Sequence, residues 1–250
     1  MKNYLLDVSY IIAVIIEIGL PIALAVFAWK KFKVSWAIFF LGMGLFIASL
    51  IRIPLNSYVT FYLQSKFSGE ISFLITALFA SLTAGIFEEG VRALAFGAII
   101  KNRTYYKGIM YGIGHGGGGE SMIFVGLSVL AGYVMYRFFP NILPQISLSQ
   151  ISSIAWYLPL VGALERIFAI AIQISLSVLV MYAFLNKKYY FIAVAIFYHM
   201  LIDITVMYVV QKSGIFLAET AAFIFAVIGI AIILLLKPKT NADRLAKNSI

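Results

Sequence analysis

Long apolar stretches separated by short polar segments run along the whole chain. Seven of them are long enough to cross a bilayer, which takes about 20 apolar residues. Their approximate limits are 5–29, 35–62, 71–100, 105–136, 155–185, 189–211 and 215–236. The pattern therefore predicts an all-α, polytopic membrane protein with about seven transmembrane helices. Because the first stretch is too long for the core of a signal peptide, we expect it to be retained as a span.

Two segments depart from simple spans. Arg52 and Pro54 interrupt the second apolar stretch, so its outer end is expected to kink or to leave the membrane early. Residues 138–154 contain two prolines and several Ser and Gln residues, which is typical of an outer loop or of a helix lying in the membrane interface. With no soluble domain and no internal repeat, we expect one helical membrane domain over 1–250, with its motif-bearing core at about 71–211.

The composition agrees with a membrane protein. Hydrophobic residues make up 63% of the chain and charged residues 12%, with a mean hydropathy of +1.00. The absence of cysteine excludes disulfides, thiolate metal ligands and a cysteine nucleophile. The net charge of +9 does not indicate nucleic-acid binding, because the basic residues are spread among loops rather than gathered in a patch. The expected surroundings are the lipid bilayer of the cell membrane.

The basic residues also predict the orientation. Alternate loops fall into two sets, one with twelve Lys and Arg residues and one with four. The first set is Lys30, Lys31, Lys33, Lys101, Arg103, Lys107, Lys187, Lys188, Lys237, Lys239, Arg244 and Lys247, and the second is Lys2, Lys66, Arg137 and Lys212. Because cytoplasmic loops carry the excess of Lys and Arg, we expect the N-terminus outside and the C-terminus in the cytoplasm.

Three ionisable clusters lie within the apolar stretches, namely Glu88-Glu89-x-x-Arg92, His115 with Glu120, and His199-x-x-x-Asp203. A charge at membrane depth costs roughly 2.5–3.5 kcal/mol even on a lenient scale, so it usually marks function. Both histidines of the chain fall in these clusters. At ~1.5 Å per helical residue, Glu88 lies ~18 Å from the cytoplasmic edge, and both histidines lie at ~15 Å. Three separate spans thus place polar groups in one layer, as expected if residues from several helices form one site.

The spacing within each cluster limits which side chains share a helix face. Either glutamate of the pair can lie on the face of Arg92, and His199 can lie on the face of Asp203. His115 and Glu120 are five apart and would not share a face on a regular α-helix. The glycines at 116–119 allow another helix, or an extended peptide, to approach closely.

Each cluster also has a purely structural interpretation. Glu–Arg pairs can neutralise each other against a partner helix, a buried His can be a hydrogen-bonding strut, and the glycines can mark a tight helix crossing. We interpret Glu165 and Arg166 as a structural pair and Glu17 as a packing or hydrogen-bonding residue. Gln173 is expected at the level of the candidate site.

In this order, the motifs resemble the YhfC family of intramembrane proteases, a distant branch of the group that contains CAAX prenyl proteases, bacteriocin-processing proteases and PrsW-type proteases. The matching segments span roughly residues 85–205. They are Glu88-Glu89-x-x-Arg92, Gly112-Ile113-Gly114-His115-Gly116-Gly117…Glu120, Glu165-Arg166-Ile167-Phe168-Ala169…Ser175-Leu176-Ser177-Val178-Leu179-Val180, and His199-x-x-x-Asp203.

The resemblance implies a glutamate-dependent peptidase. In the wider group the first Glu of the pair and a His of the next span activate water, and Glu88 and His115 match those positions. Glu89 is nearly as good a candidate on geometry alone. A late His and an Asn or Asp one turn later stabilise the oxyanion, which His199 and Asp203 match. An Asp cannot donate a hydrogen bond unless it is protonated, so Asp203 could instead orient His199.

Three further residues are assigned supporting roles, namely Arg92, Glu120 and Gln173. The glycine segment is one residue longer than the Gly-His-Gly-Gly-x-Glu form that the family resemblance implies, which leaves the position of Glu120 open. The chain lacks the His-Glu-x-x-His helix of zinc proteases, a Gly-x-Ser-x-Gly motif with a plausible partner, and the paired Gly-Asp motifs of aspartyl proteases. We favour a mechanism without a cofactor.

A zinc site is the alternative to the metal-free mechanism. Two His and one carboxylate are a known catalytic ligand set, so Glu88, His115 and His199 would be the ligands, with Glu89 in place of Glu88 as a variant.

The leading prediction is hydrolysis of a peptide bond in a membrane-embedded or membrane-proximal protein or peptide. Two alternatives from other classes remain open. One is a proton- or ion-coupled transporter or small-molecule binder that uses the same polar layer as a relay. Broken helices in two symmetry-related halves would favour it, and the sequence has no internal repeat. The other is a non-catalytic, protease-like scaffold.

Overall fold

Seven long helices make up the fold of the computed structural model, which describes residues 4–238. Each is long and apolar enough to cross a membrane, and each coincides with one predicted span. In chain order they are the first span (Tyr4–Phe32), the second (Trp36–Lys66), the third (Gly69–Ile99), the fourth (Tyr105–Phe138), the fifth (Leu158–Leu185), the sixth (Tyr190–Ser213) and the seventh (Ile215–Leu235). The prediction of an all-α, multi-pass membrane protein is confirmed, whereas its orientation stays a prediction.

The first span contains a short π-helical segment, Ile15–Gly19, which ends two residues before Pro21. Pro21 has no backbone N–H and its ring crowds the carbonyl four residues earlier, which belongs to Glu17. The Ser121 hydroxyl of the fourth span donates a hydrogen bond of 3.0 Å to that carbonyl. The bulge is therefore stabilised by the neighbouring span. The Glu17 side chain is only 2% exposed, in keeping with the packing role expected for it.

The second span is broken, as Arg52 and Pro54 predict. One helix runs over Trp36–Ser49 and a second over Arg52–Lys66, with a turn at 50–51 between them. The helix Arg52–Lys66, called the outer helix below, has no buried residue. Its attachments to the third span include a hydrogen bond of 2.8 Å between the Thr83 hydroxyl and the Asn56 side-chain oxygen. The segment after the fourth span forms a 3₁₀ turn at Pro140–Ile142 and a short helix at Gln145–Ser152.

The fourth span is buried in its glycine-rich middle part and changes its helix type there. Between the α-helices Tyr105–Gly112 and Leu127–Phe138, the backbone is π-helical over Ile113–Gly126. The i→i+5 hydrogen bonds of a π-helix widen each turn, so residues five apart come onto adjacent turns of the same side. His115 and Glu120 have this spacing. The glycines within the segment are what let other helices pack against it.

The glycines of the fourth span are enclosed by neighbouring helices. A Cβ atom on the first of the four, Gly116, would lie 2.3 Å from Gln173 of the fifth span, and one on Gly117 would lie 3.0 Å from Pro21 of the first. Gly118 and Gly119 face Phe39 and Phe46 of the second span in the same way. The glycines at 116–119 could have allowed an extended peptide to approach or marked a tight helix crossing. This packing supports the helix crossing.

Gly114 tolerates no side chain, because a Cβ there would lie 2.0 Å from the Phe39 carbonyl oxygen of the second span. Gly114→Ala is therefore expected to destabilise the fold by about 3 kcal/mol or more, the upper end of the cost of overpacking. Gly132→Ala in the same span is the matched control, since a Cβ there meets no atom within 4 Å. Thermal unfolding of the two purified variants measures the difference. Equal melting temperatures would contradict this account of the crossing.

Candidate active site

Glu88 of the third span accepts hydrogen bonds from three other spans. Its Oε1 lies 3.0 Å from Arg52 Nη2 of the second span. Its Oε2 lies 3.2 Å from His115 Nε2 of the fourth span and 3.2 Å from Gln173 Nε2 of the fifth. Arg92 Nη2, one turn along the same helix, is 3.9 Å from Oε2. The carboxylate is thus held by donors on both oxygens.

Glu89 has a separate set of partners, because consecutive helical residues point about 100° apart. Its Oε1 accepts from Arg92 Nη1 and from His199 Nδ1, the latter at 2.8 Å. The residue is fully buried. The two histidines are therefore divided between the two carboxylates, His115 on Glu88 and His199 on Glu89.

Arg92 joins the third span to the fifth. Its Nε donates to Ser177 Oγ at 3.0 Å, its Nη1 to Glu89 and its Nη2 to the Gln173 side-chain oxygen. The side chain is 0% exposed. A buried guanidinium is tolerable only when paired and hydrogen-bonded, and here three side chains meet that need. Arg92 therefore holds the network together away from the cavity.

His115 is fixed by the rings around it as well as by Glu88. The Phe46 ring meets it edge-on, with centroids 5.2 Å apart, and the Tyr111 ring stacks on it at 5.8 Å. The residue is fully buried. With Nε2 facing the carboxylate, Nδ1 has no hydrogen-bond partner within the described residues. The packing leaves the imidazole one orientation, directed at Glu88.

Glu120 reaches the same network through the π-helical turn. Its Oε2 accepts from Gln173 Nε2 at 2.7 Å, and its Oε1 accepts from Arg166 Nη1 at 2.9 Å. The Gln173 amide therefore bridges Glu120 and Glu88. Arg166 also donates to Glu165, so the pair interpreted as structural extends the network to Glu120. The position of Glu120, left open by the sequence, is beside the cluster.

A cavity of about 220 Å³ lies on one side of the cluster. It is bounded by Arg52, Glu88, Glu120, Glu165, Arg166, Ala169, Ile172, Gln173, His199, Ile202, Asp203, Val206, Met207 and Ala222. Glu165 and Met207 lie nearer the ends of their spans that are predicted to be outside, so the cavity extends toward that side. Among the predicted site residues, Glu89, His115 and Arg92 are not part of its lining.

Asp203 stands at the edge of this cavity rather than inside the network. Its Oδ2 lies 3.8 Å from His199 Nε2, one turn earlier on the sixth span, and its side chain is 34% exposed. His199 is more deeply placed, with 6% of its side chain exposed. The geometry suits a carboxylate that orients His199 from the cavity side better than one that donates to an oxyanion.

The donors present do not fit a zinc ion in this arrangement. Zinc requires three protein ligands at about 2.0–2.3 Å from one point in a catalytic site. Over residues 4–238, no three His, Asp or Glu side chains converge in that way. His115 and His199 face different carboxylates, and the guanidinium groups of Arg52 and Arg92 already neutralise Glu88 and Glu89. A divalent cation would have to displace these ion pairs.

The sequence did not predict the ion pair between Arg52 and Glu88 or the hydrogen bond from Arg166 to Glu120. Arg52 was interpreted only as an interruption of the second span. The available signal was that an arginine inside an apolar span requires a carboxylate partner, but hydropathy does not identify which one. Ser177, which lies in a segment that matches the family motifs, accepts a hydrogen bond from Arg92.

Comparisons with known proteins place this chain among membrane proteins of one family. A family model described as "YhfC intramembrane metalloprotease" matches residues 15–228. A relative from Bacillus subtilis (strain 168), described as "Uncharacterized membrane protein YhfC", is 33% identical over 205 aligned residues. That alignment covers 74% of this chain and 78% of the relative. No solved structure matches the chain.

Proposed function

This chain belongs to the YhfC family, described as intramembrane metalloproteases, and on that premise we propose that it is an intramembrane peptidase in which Glu88 activates water. The observation that carries the proposal is the position of Glu88. Among the carboxylates of the cluster it alone combines near-complete burial, a histidine partner and a place in the cavity lining. Its neighbour Glu89 is bonded to Arg92 and His199 and lies outside that lining.

Free acceptor capacity on Glu88 supports its role as the base. A carboxylate offers about four lone-pair sites, and the hydrogen bonds described above use one site on Oε1 and two on Oε2. A water molecule can donate to the remaining site on Oε1. Glu88 would take a proton from that water as the water oxygen bonds to the peptide carbonyl carbon. It would then give the proton to the amide nitrogen as the C–N bond breaks.

The other residues of the network would keep Glu88 in position. His115 and Gln173 hold Oε2, which directs the opposite oxygen toward the water. The Arg92 and Glu89 pair anchors His199 at the cavity wall. Fixed donors of this kind need no rearrangement during the reaction, which is where their catalytic value lies.

The substrate class follows from the surroundings of the cavity. The protein crosses the membrane several times, and Glu88 lies in the middle part of the third span. A peptide bond that reaches Glu88 would therefore belong to a membrane-embedded or membrane-proximal protein or peptide. The mixed lining, with Ile202, Val206 and Ala222 beside the charged groups, suits a peptide with apolar side chains around the cleaved bond.

Reconstituted protein is expected to cleave members of a library of quenched-fluorescent, single-span peptides in vesicles, and the cleavage is expected to withstand removal of metal. The reason is that His115 and His199 serve different carboxylates, so the proposed reaction uses no metal-bound water. Fluorescence gives the rate, and mass spectrometry of the products gives the new termini. The same assay is run with 1,10-phenanthroline and then with added zinc.

Two results would contradict parts of this proposal. Loss of cleavage with the chelator, restored by zinc, would contradict the metal-free mechanism while supporting peptidase activity. No cleavage of any library peptide, together with no new protein termini in membranes of cells that produce the protein, would contradict peptidase activity itself.

A further inference from the structure

We propose that Arg52 is a further catalytic residue, whose guanidinium donates hydrogen bonds to the substrate carbonyl oxygen as that oxygen becomes an oxyanion. The inference rests on the proposed peptidase function and deepens it. It assigns to the second span a part of the reaction that the motif-bearing core at about 71–211 does not contain.

The break in the second span brings Arg52 to the site. The turn at 50–51 ends the inner helix, and Arg52 is the first residue of the outer helix. Its Nη2 lies 3.0 Å from Glu88 Oε1, and its side chain is 19% exposed and lines the cavity. The guanidinium thus stands next to the one oxygen of Glu88 that retains room for a water molecule.

Arg52 has donors to spare, which Arg92 does not. A guanidinium carries five N–H groups. In the described part of the chain, Arg52 Nη2 bonds to Glu88. Neither Nη1 nor Nε of Arg52 has a hydrogen-bond partner there, and of these two only Nε is fully buried, which leaves Nη1 to donate into the cavity. Arg92 instead commits Nε, Nη1 and Nη2 to three side chains and is 0% exposed. Of the two guanidinium groups next to Glu88, only that of Arg52 can donate into the cavity.

The other polar groups of the cavity are poorly suited to this task. The carboxylates of Glu120, Glu165 and Asp203 accept and do not donate. Arg166 commits Nη1 to Glu120 and Nη2 to Glu165. Gln173 uses its amide nitrogen on Glu88 and Glu120. His199 uses Nδ1 on Glu89, and its Nε2 faces Asp203 at 3.8 Å. An oxyanion formed beside Glu88 would therefore find an uncommitted donor, and a positive charge, on Arg52.

In the proposed reaction, Arg52 would lie close to the carbonyl oxygen that becomes negatively charged. Water held on Glu88 Oε1 attacks the carbonyl carbon, and the carbonyl oxygen gains the negative charge. Because Arg52 is bonded to that same Oε1, its remaining N–H groups are close to where this charge develops. Preorganised donors in a site shielded from water stabilise such a charge strongly.

Arg52→Gln is expected to lower kcat by about 10²–10³-fold, the effect of losing an oxyanion donor, with KM nearly unchanged. Arg52→Lys should recover part of the rate because it restores the charge without the planar donor set. Adding methylguanidinium to Arg52→Ala should also restore turnover. The assay uses the best-cleaved peptide of the vesicle library, and thermal unfolding verifies that each variant is folded.

Asn56→Ala is the control for a purely structural role. Within residues 4–238, it removes the other side-chain hydrogen bond between the outer helix of the second span and the third span, the contact with Thr83, and leaves Arg52 in place. Unchanged kcat in Asn56→Ala, together with rescue of Arg52→Ala by methylguanidinium, would support the proposal. Full turnover by Arg52→Gln, or an equal loss of kcat in Asn56→Ala, would overturn it. Absence of turnover by the native protein would instead overturn the peptidase function on which it depends.

Discussion

Replacing Glu88 by Gln is expected to lower kcat by about 10²–10⁴-fold, the usual contribution of a general base, while the protein still folds. The amide of Gln has the same shape but cannot take a proton from water. Its one side-chain oxygen can still accept from Arg52, and its NH₂ group can donate to His115 Nε2 when the ring carries its proton on Nδ1, so part of the local hydrogen bonding is retained. The measurement is kcat on the best-cleaved library peptide, with thermal unfolding of the same preparation.

Glu70→Gln is the matched control for this variant. Glu70 lies at the start of the same third span, where it pairs with Lys212 at 2.7 Å on an exposed surface. Exposed pairs contribute little, about 0–1 kcal/mol, so activity and stability should both remain near those of the native protein. A folded Glu88→Gln variant with undiminished kcat would rule out Glu88 as the base and direct attention to Glu89.

Replacing Arg92 by Met is expected to destabilise the protein by about 3–5 kcal/mol, the cost of breaking a buried ion pair by removing one partner. The change leaves Glu89 as a buried carboxylate without its cation and takes away the donors to Ser177 and Gln173. For a protein of ordinary stability this is a large share of the total. Thermal and chemical unfolding in detergent, and the yield of folded protein, measure the effect.

Two comparison variants test the reason given for this loss. Adding Glu89→Gln to Arg92→Met removes the unpaired charge as well, so part of the lost stability should return. Arg137→Met at the end of the fourth span removes a half-exposed pair with Asp7 at 3.5 Å and should cost about 1 kcal/mol at most. If Arg92→Met were no less stable than Arg137→Met, the network would not have the structural importance inferred for it.

The predicted effects reflect how charge is balanced inside the bundle. Glu88 is paired with Arg52, Glu89 with Arg92, and Glu120 with Arg166. Each of these arginines lies on a helix of the cluster rather than in a loop, and each brings several donors. Pairing of this kind makes buried carboxylates tolerable at membrane depth. Asp203, at the cavity edge, faces His199 instead, and 34% of its side chain is exposed.

The spans were predictable because the signal for them is local. A stretch of about 20 apolar residues must bury its backbone polar groups in a helix within the membrane, whatever its neighbours are. All seven predicted stretches accordingly match helices, and the break at Arg52 and Pro54 was visible as a charge and an imino acid within one stretch. The common layer of Glu88, His115 and His199 was also accessible, since the helical rise converts sequence position into depth.

The roles within that layer depend on rotation and contact, which hydropathy does not encode. Whether Glu88 or Glu89 faces the cavity depends on how the third span is turned about its axis by packing against the other spans. The proximity of Glu120 to Gln173 depends on the π-helical turn that the glycines of the fourth span permit. The pairing of Arg52 with Glu88 joins residues 36 positions apart. The sequence by itself thus determined the number of helices and predicted a common level for their polar groups, because both follow from the properties of each helix taken alone. Only the tertiary structure decided which groups meet, because that depends on the contacts between helices.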